Sequence, residues 1–255
     1  MTIAYELKIQ NDMKKLLMSS ALCAATVLSA QVDFSSTRFG LTAGGTYSRI
    51  SNAHNPSGAR FSVYGGAMAL IPVDSNDQFY IQPEVEYLGA GESGKDKNAK
   101  GASGYDAMYG NNYISVPIYF KGYFSEAESE FFAMAGPKFN FLVSQKVENI
   151  PANKPYYVPE QLEAYPDVNG KANSFNFAVG LGVGFSYKRQ LEITARYDLG
   201  LSNTYKGLMK ENGTDPNIEK KKSEQVFSLG LSFFFLMIRR PLISTLFPYT
   251  TIFRS

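Results

Sequence analysis

The sequence predicts an all-β protein, an eight-stranded antiparallel up-and-down transmembrane β-barrel, on three observations. From Phe175 to Tyr187 it reads Phe-Asn-Phe-Ala-Val-Gly-Leu-Gly-Val-Gly-Phe-Ser-Tyr, large apolar residues alternating with small or polar ones. Successive strand side chains point to opposite faces, so this segment has one apolar face and one nearly bare face. The bare face is Ala178, Gly180, Gly182, Gly184 and Ser186. A soluble sandwich strand would place charged or long polar groups there, whereas a wall between lipid and a narrow interior suits this pattern. The second observation is that seven further segments can be read as strands, most of them alternating well. The third is that the connections between them alternate in length.

The strands fall at Arg38–Tyr47, Phe61–Ile71, Phe79–Leu88, Tyr113–Phe124, Phe131–Val147, Asn173–Tyr187, Leu191–Tyr205 and Gln225–Phe235. The third sets Ile81, Val85 and Tyr87 against Gln82, Glu84 and Glu86. The fourth sets Ile114, Val116, Ile118 and Phe120 against Ser115, Tyr119 and Lys121. The seventh sets Leu191, Ile193, Ala195, Tyr197, Leu199 and Leu201 against Glu192, Thr194, Arg196, Asp198 and Ser202. Pro83 and Pro117 depart from the pattern, because proline removes a ladder hydrogen bond and marks an edge or a bulge. Tyr47, Tyr87, Tyr187, Tyr197 and Tyr205 are expected as anchors at the membrane interfaces.

The connections run moderate (Ser48–Arg60), short (Pro72–Gln78), long (Gly89–Asn112), short (Ser125–Glu130), long (Glu148–Ala172), very short (Lys188–Gln190) and long (Lys206–Glu224). Short periplasmic turns alternating with longer extracellular loops mark an outer-membrane barrel. A soluble sandwich has no reason to keep all its long loops at one end; a soluble lipocalin-like barrel is the alternative fold.

The N-terminal segment fits an export route. Met13-Lys14-Lys15 is a basic start, Leu16 to Val27 an apolar stretch, and Leu28-Ser29-Ala30 a small-residue cleavage site before Gln31. This is the layout of a secretory signal peptide, and its apolar run is shorter than the roughly 20 residues a spanning helix needs. Residues 1–12 are expected to precede the true start at Met13, residues 13–30 to form the signal, and 31–235 the barrel domain. The only cysteine, Cys23, lies within the signal, so the mature chain has neither a disulfide framework nor a thiolate metal site. Aromatic content is 14% and carried by Phe and Tyr alone. The formal net charge of +2 makes no electrostatic case for a nucleic-acid partner.

Several segments resemble the outer-membrane β-barrel domain family common in Bacteroidetes, the OmpA-like and PorT-like small barrels. They are the Ser-Ala-Gln cleavage region, Tyr113-Ile-Ser-Val-Pro-Ile-Tyr-Phe-Lys-Gly-Tyr, Phe132-Ala-Met-Ala-Gly-Pro-Lys-Phe, the Gly-rich sixth strand and Leu191-Glu-Ile-Thr-Ala-Arg-Tyr. The resemblance covers Arg38 to Phe235. It implies a bacterial outer-membrane location among lipid and lipopolysaccharide, and a link to protein secretion or another surface partner, which no residue here selects. Leu236 to Ser255 lacks alternation and resembles translated sequencing-adapter read-through, so it is expected to be non-native; a genuine basic-aromatic tail is the other reading. Ending at Phe233–Phe235, the chain would carry a terminal-aromatic signal for the barrel-assembly machinery.

With apolar residues facing lipid, the inward charges are Glu84, Glu86, Glu192 and Asp198 against Lys121, Lys138 and Arg196. An eight-stranded barrel is just wide enough for side chains to fill, and isolated buried charges are very costly. The near balance of signs therefore predicts a cross-linked polar plug, with a charged conduction path of a porin-like narrow channel as the alternative. The single histidine, His54, lies in the first loop beside Asn52, Asn55 and Ser57. Rim-active lipid hydrolases and proteases use histidine with serine or aspartate, yet no such motif surrounds His54, so a solvated loop histidine is expected.

Gly180-x-Gly182-x-Gly184 lies mid-strand and opens no helix, so it is no nucleotide loop. Asp74-Ser-Asn-Asp77 reads as a tight turn and not a calcium loop. Asn212-Gly-Thr214 fits an acceptor sequon and is read as a turn. No catalytic residue, cofactor or metal is expected. Pro151, Pro155, Pro159 and Pro166 interleave with Tyr156, Tyr157 and Tyr165 in the fifth connection. That segment is either a recognition surface or a cover over the barrel mouth. The last loop carries Lys206, Lys210 and Lys220-Lys221-Lys222; it is either solvated or a bridge to lipopolysaccharide phosphates. The sequence reading is thus a non-enzymatic membrane scaffold or binding protein.

Overall fold

The computed structural model describes residues 36–52, 58–93, 108–148, 172–205 and 221–235. Eight strands follow in chain order: β1 (Arg38–Ile50), β2 (Gly58–Pro72), β3 (Phe79–Ser93), β4 (Met108–Tyr123), β5 (Glu130–Glu148), β6 (Phe175–Tyr187), β7 (Leu191–Gly200) and β8 (Glu224–Phe234). Each pairs antiparallel with its sequence neighbours, and β1 pairs with β8 from Gly40↔Phe234 to Ile50↔Glu224, closing the barrel. The shortest strand has 10 residues and the longest 19, enough for tilted strands to cross a bilayer.

Alternation decides which side chain faces where. Phe61, Val63, Leu181, Val183, Ile193, Leu229 and Leu231 are exposed on the outer wall, while Tyr64, Gln82, Glu84, Lys121, Thr194 and Ser232 are buried inside. Directly paired outer rings touch across strands. Tyr47 meets Phe61 at 4.8 Å between centroids, Phe131 meets Phe185 at 5.0 Å and Phe141 meets Phe175 at 5.4 Å. Such cross-strand aromatic pairs stabilise a sheet by roughly 0.2–1 kcal/mol each. Phe39, Phe79, Phe124 and Phe131 lie toward the end with short turns, and Tyr47, Phe61, Phe141 and Phe175 toward the other. Aromatic rings at both rims fit the girdles of a membrane barrel.

Three short turns share one end with the start of β1 and the finish of β8. Asp74 accepts from the backbone N–H of Gln78 (3.1 Å) and Phe79 (2.8 Å), so the Asp74–Asp77 cluster is a turn. Lys188 and Arg189 hold φ of 52° and 53°, and Gln190 N–H donates to Tyr187 O at 3.0 Å. Positive φ at both central residues is the type I′ geometry that matches the twist of the flanking strands.

Pro83 and Pro117 interrupt pairing without moving it. The β3–β4 register is unbroken from Phe79↔Gly122 to Ser93↔Met108, with Pro83 opposite Ile118. The register shifts instead between Ala59 and Tyr64 and between Asn112 and Tyr113, near the far end.

The seventh strand stops at Gly200, short of the expected Tyr205. Leu201 and Ser202 both donate their N–H to Phe177 O, at 2.8 and 3.3 Å. Two residues opposite one acceptor form a bulge that resets the alternation. Tyr205 therefore turns inward, fully buried, and donates to Glu92 Oε1 at 3.1 Å. It is not an interface anchor. Tyr47, Tyr87, Tyr187 and Tyr197 do lie exposed on the outer wall.

Candidate functional site

All seven inward charges are buried, and each contacts another member of the set. Arg196 of β7 is the hub. Its Nη1 and Nη2 fork onto the Glu84 carboxylate at 2.8 and 3.0 Å, and Nη1 also reaches Glu86 Oε1 at 2.7 Å. Lys138 of β5 bridges Asp198 Oδ2 at 2.7 Å and Glu86 Oε2 at 3.4 Å. The guanidinium carbon lies 5.5 Å from the Tyr64 ring centroid and 5.3 Å from that of Tyr119, which close over it from two sides. Planar bidentate pairing is the strong form of a charged hydrogen bond.

A second layer lies nearer the short turns. Lys121 Nζ is 2.5 Å from Glu192 Oε2, and Tyr123 OH donates to Glu192 Oε1 at 2.6 Å. The same ammonium sits 3.9 Å from the Phe132 ring centroid, a desolvated cation–π contact. Gln82 joins the layers, accepting from Lys121 Nζ at 3.2 Å and donating to Glu84 Oε1 at 2.6 Å. Tyr123 and Gln82 were absent from the set expected on charge alone, although their inward parity on β4 and β3 marks them.

Arg189 makes a third layer that the turn sequence did not reveal. It donates to Ser125 O (2.9 Å), Ala127 O (3.0 Å) and Asp77 O (3.1 Å), and lies 3.6 Å from the Tyr123 ring centroid. One side chain from the β6–β7 turn thus ties the other two short turns together. Arg38 adds a bond from Nη1 to Arg189 O at 2.7 Å.

The bare face of β6 gives room to side chains of other strands. Gly180, Gly182 and Gly184 pair with Asp198, Arg196 and Thr194, yet the space above them is taken chiefly by side chains from β4 and β5. A Cβ at Gly180 would lie 2.8 Å from the Tyr119 ring and 2.9 Å from Asp198 Oδ1. At Gly182 it would lie 2.7 Å from Met134 Cε. The glycines therefore admit Tyr119, Met134 and Phe132, with Asp198 the one charged group among the contacts of Gly180 and Gly182.

His54 and the loop tyrosines Tyr156, Tyr157 and Tyr165 lie outside the described residues. So do the signal segment, the Asn212-Gly-Thr214 turn and the adapter-like tail.

A closed antiparallel barrel with an apolar outer wall, aromatic rims and an ion-paired bore defines a membrane-spanning β-barrel of the bacterial outer membrane. The chain belongs to the family of the outer membrane protein beta-barrel domain, which it matches over residues 29–206. Among solved structures it is similar to the attachment invasion locus protein Ail of Yersinia pestis, with 10% identity, 78% of this chain and 98% of that chain covered, and a TM-score of 0.37. It is also similar to Neisserial surface protein A, with 15% identity, 77% and 97% covered, and a TM-score of 0.39. For OprG of Pseudomonas aeruginosa the values are 10%, 78% and 94%, and 0.36. Among curated proteins, no sequence matches.

Proposed function

We propose that this protein is a non-conducting, non-enzymatic outer-membrane barrel that serves as a scaffold or binding platform through the connections at its extracellular end. The observation behind this reading is the bore itself. Arg196 and Lys121 bind carboxylates on strands across the bore, and Arg189 bonds the carbonyls of the other two short turns at its end. Charges committed to one another hold the walls together and offer a passing ion no free series of partners. With the barrel closed, activity falls to the connections, of which the Tyr156, Tyr157 and Tyr165 segment carries the best recognition chemistry. The PorT-like resemblance supports a partner in secretion or at the cell surface, and lipopolysaccharide around the outer rim.

Planar-bilayer recording of the purified full-length protein tests the closed reading. Silence at moderate voltage is expected, and steady unitary openings would overturn it in favour of a narrow channel. Lipid A mass spectra from cells with and without the gene test the non-enzymatic assignment; a changed acylation pattern would sink it.

A further inference from the structure

The outer wall is not evenly covered. Between β4 and β7, toward the short-turn end, it carries a groove of about 920 Å³, within the size range of pockets that hold a small ligand. Its floor lies where outward positions hold residues too small to reach into the membrane: Ala133 and Ala135 on β5 and Ala195 on β7. Strand pairing sets larger side chains beside them. Ala135 lies between Phe120 and Leu181, and Val183 lies between Ala133 and Ala195. Phe79 covers Gly122, where a Cβ would meet its ring at 3.1 Å, and stacks on Phe120 with centroids 5.7 Å apart and planes at 13°. These two rings make one bank, and the exposed side chains of Leu181, Val183 and Tyr197 make the other.

The groove has a direction. It opens at the short-turn rim beside Gln78 and Phe124, and its far end reaches Tyr197 and Phe227. Along β7 from Leu191 to Tyr197, about 3.3 Å per residue and a tilt of about 40° lift the wall roughly 15 Å. That is half of the roughly 30 Å hydrocarbon core, the depth that one acyl chain of a single leaflet occupies. Above the rim the one polar group among the outward lining side chains is the Tyr197 hydroxyl, already engaged with Gln225 Oε1 at 3.0 Å. The surrounding wall faces lipid, so the groove is continuous with an acyl environment. A second barrel would present a convex wall, which meets this one along a line and leaves a recess unfilled.

We infer that this groove seats one acyl chain of a periplasmic-leaflet phospholipid, held longer than the lipids on the rest of the wall. The site is independent of the closed-bore reading, since it lies outside the barrel.

The full-length protein is folded into vesicles of phosphatidylethanolamine and phosphatidylglycerol. A photoreactive phosphatidylethanolamine is included, with a diazirine near either the carboxyl or the methyl end of one chain, and labelled peptides are mapped by mass spectrometry. Labelling in the groove is expected at about tenfold the level at Leu41 and Val63, exposed on β1 and β2, a preference of about 1.4 kcal/mol. The carboxyl-end probe should mark Phe124 and the methyl-end probe Tyr197. Ala135→Phe should fill the groove and bring its labelling down to that of the remaining wall. Ala67→Phe, at an exposed position of β2, should leave the excess unchanged. Should Ala135→Phe lose heat-modifiable gel mobility, Ala195→Leu is the second filling variant. Even labelling around the barrel overturns the site, and the reverse order of the two probes overturns the leaflet. Groove labelling below that of the wall, together with a crosslinked dimer on gels, overturns the lipid in favour of a second copy. An excess that survives in a folded filling variant overturns the location.

Discussion

Arg196 is the residue on which the interior most depends, because two carboxylates from another strand share it. Replacing it with alanine leaves Glu84 and Glu86 side by side in a low-dielectric space, and breaking a buried pair in this way costs about 3–5 kcal/mol. Removing the charge from both sides costs far less, since a buried ion pair is worth little against well-packed neutral groups. Urea unfolding in micelles should therefore show Arg196→Met strongly destabilised and Arg196→Met with Glu84→Gln partly recovered, a coupling above the additive expectation. Equal costs for single and double variants would mean the fork is not a unit. Glycine offers a second contrast at this scale. A Cβ at Gly136 would lie 2.8 Å from Ile118 C and 2.9 Å from Tyr119 Cα, both backbone. At Gly182 the obstacle is the movable end of Met134. Gly136→Ala should cost about 1–3 kcal/mol by overpacking, and Gly182→Ala clearly less; the same unfolding measurement ranks them.

Strand alternation carried nearly all the element-level information. The two-residue period alone separated the lipid face from the bore, because a one-residue slip would exchange every side chain between them. It placed Glu84, Lys121, Lys138 and Arg196 indoors before any contact was known. What it could not supply was who meets whom. Arg196 and Glu84 are 112 residues apart and face each other across the barrel, a geometry set by strand tilt and register rather than by any local pattern. Arg189 was missed for a related reason, since a turn residue ordinarily points to solvent and only the ring of short turns brings three carbonyls within its reach. The parity reset after Leu201 hid in two ordinary residues, Leu201 and Ser202, that share one acceptor. A test of the wall as an element follows from its orientation. Leu181, 53% exposed in the middle of β6, faces hydrocarbon, so Leu181→Arg should cost about 2–4 kcal/mol. Phe175→Arg, at the rim of the same strand, should cost roughly 0–1 kcal/mol. Folding titrations into lipid vesicles measure both, and equal penalties would contradict a membrane-centred β6.

At the scale of the whole molecule, the closed-bore proposal makes each of the three tied levels a closure in its own right. The turns are joined by Arg189 without any carboxylate. The Lys121–Glu192 level leans on aromatic rings from β4 and β5, and the Arg196 level is wedged between Tyr64 and Tyr119. Emptying one level therefore should not open the bore, because the cross-section at the others is still filled by side chains from facing walls. The informative variant removes a level without stranding a charge: Lys121→Met together with Glu192→Gln keeps volume and neutrality. It should fold, retain heat-modifiable gel mobility, and stay silent in planar bilayers like the parent. Steady conductance from this two-residue variant would show that the Arg196 and Arg189 levels do not span the bore, and that closure rests on a single ion pair, as expected of a gated channel rather than a rigid scaffold.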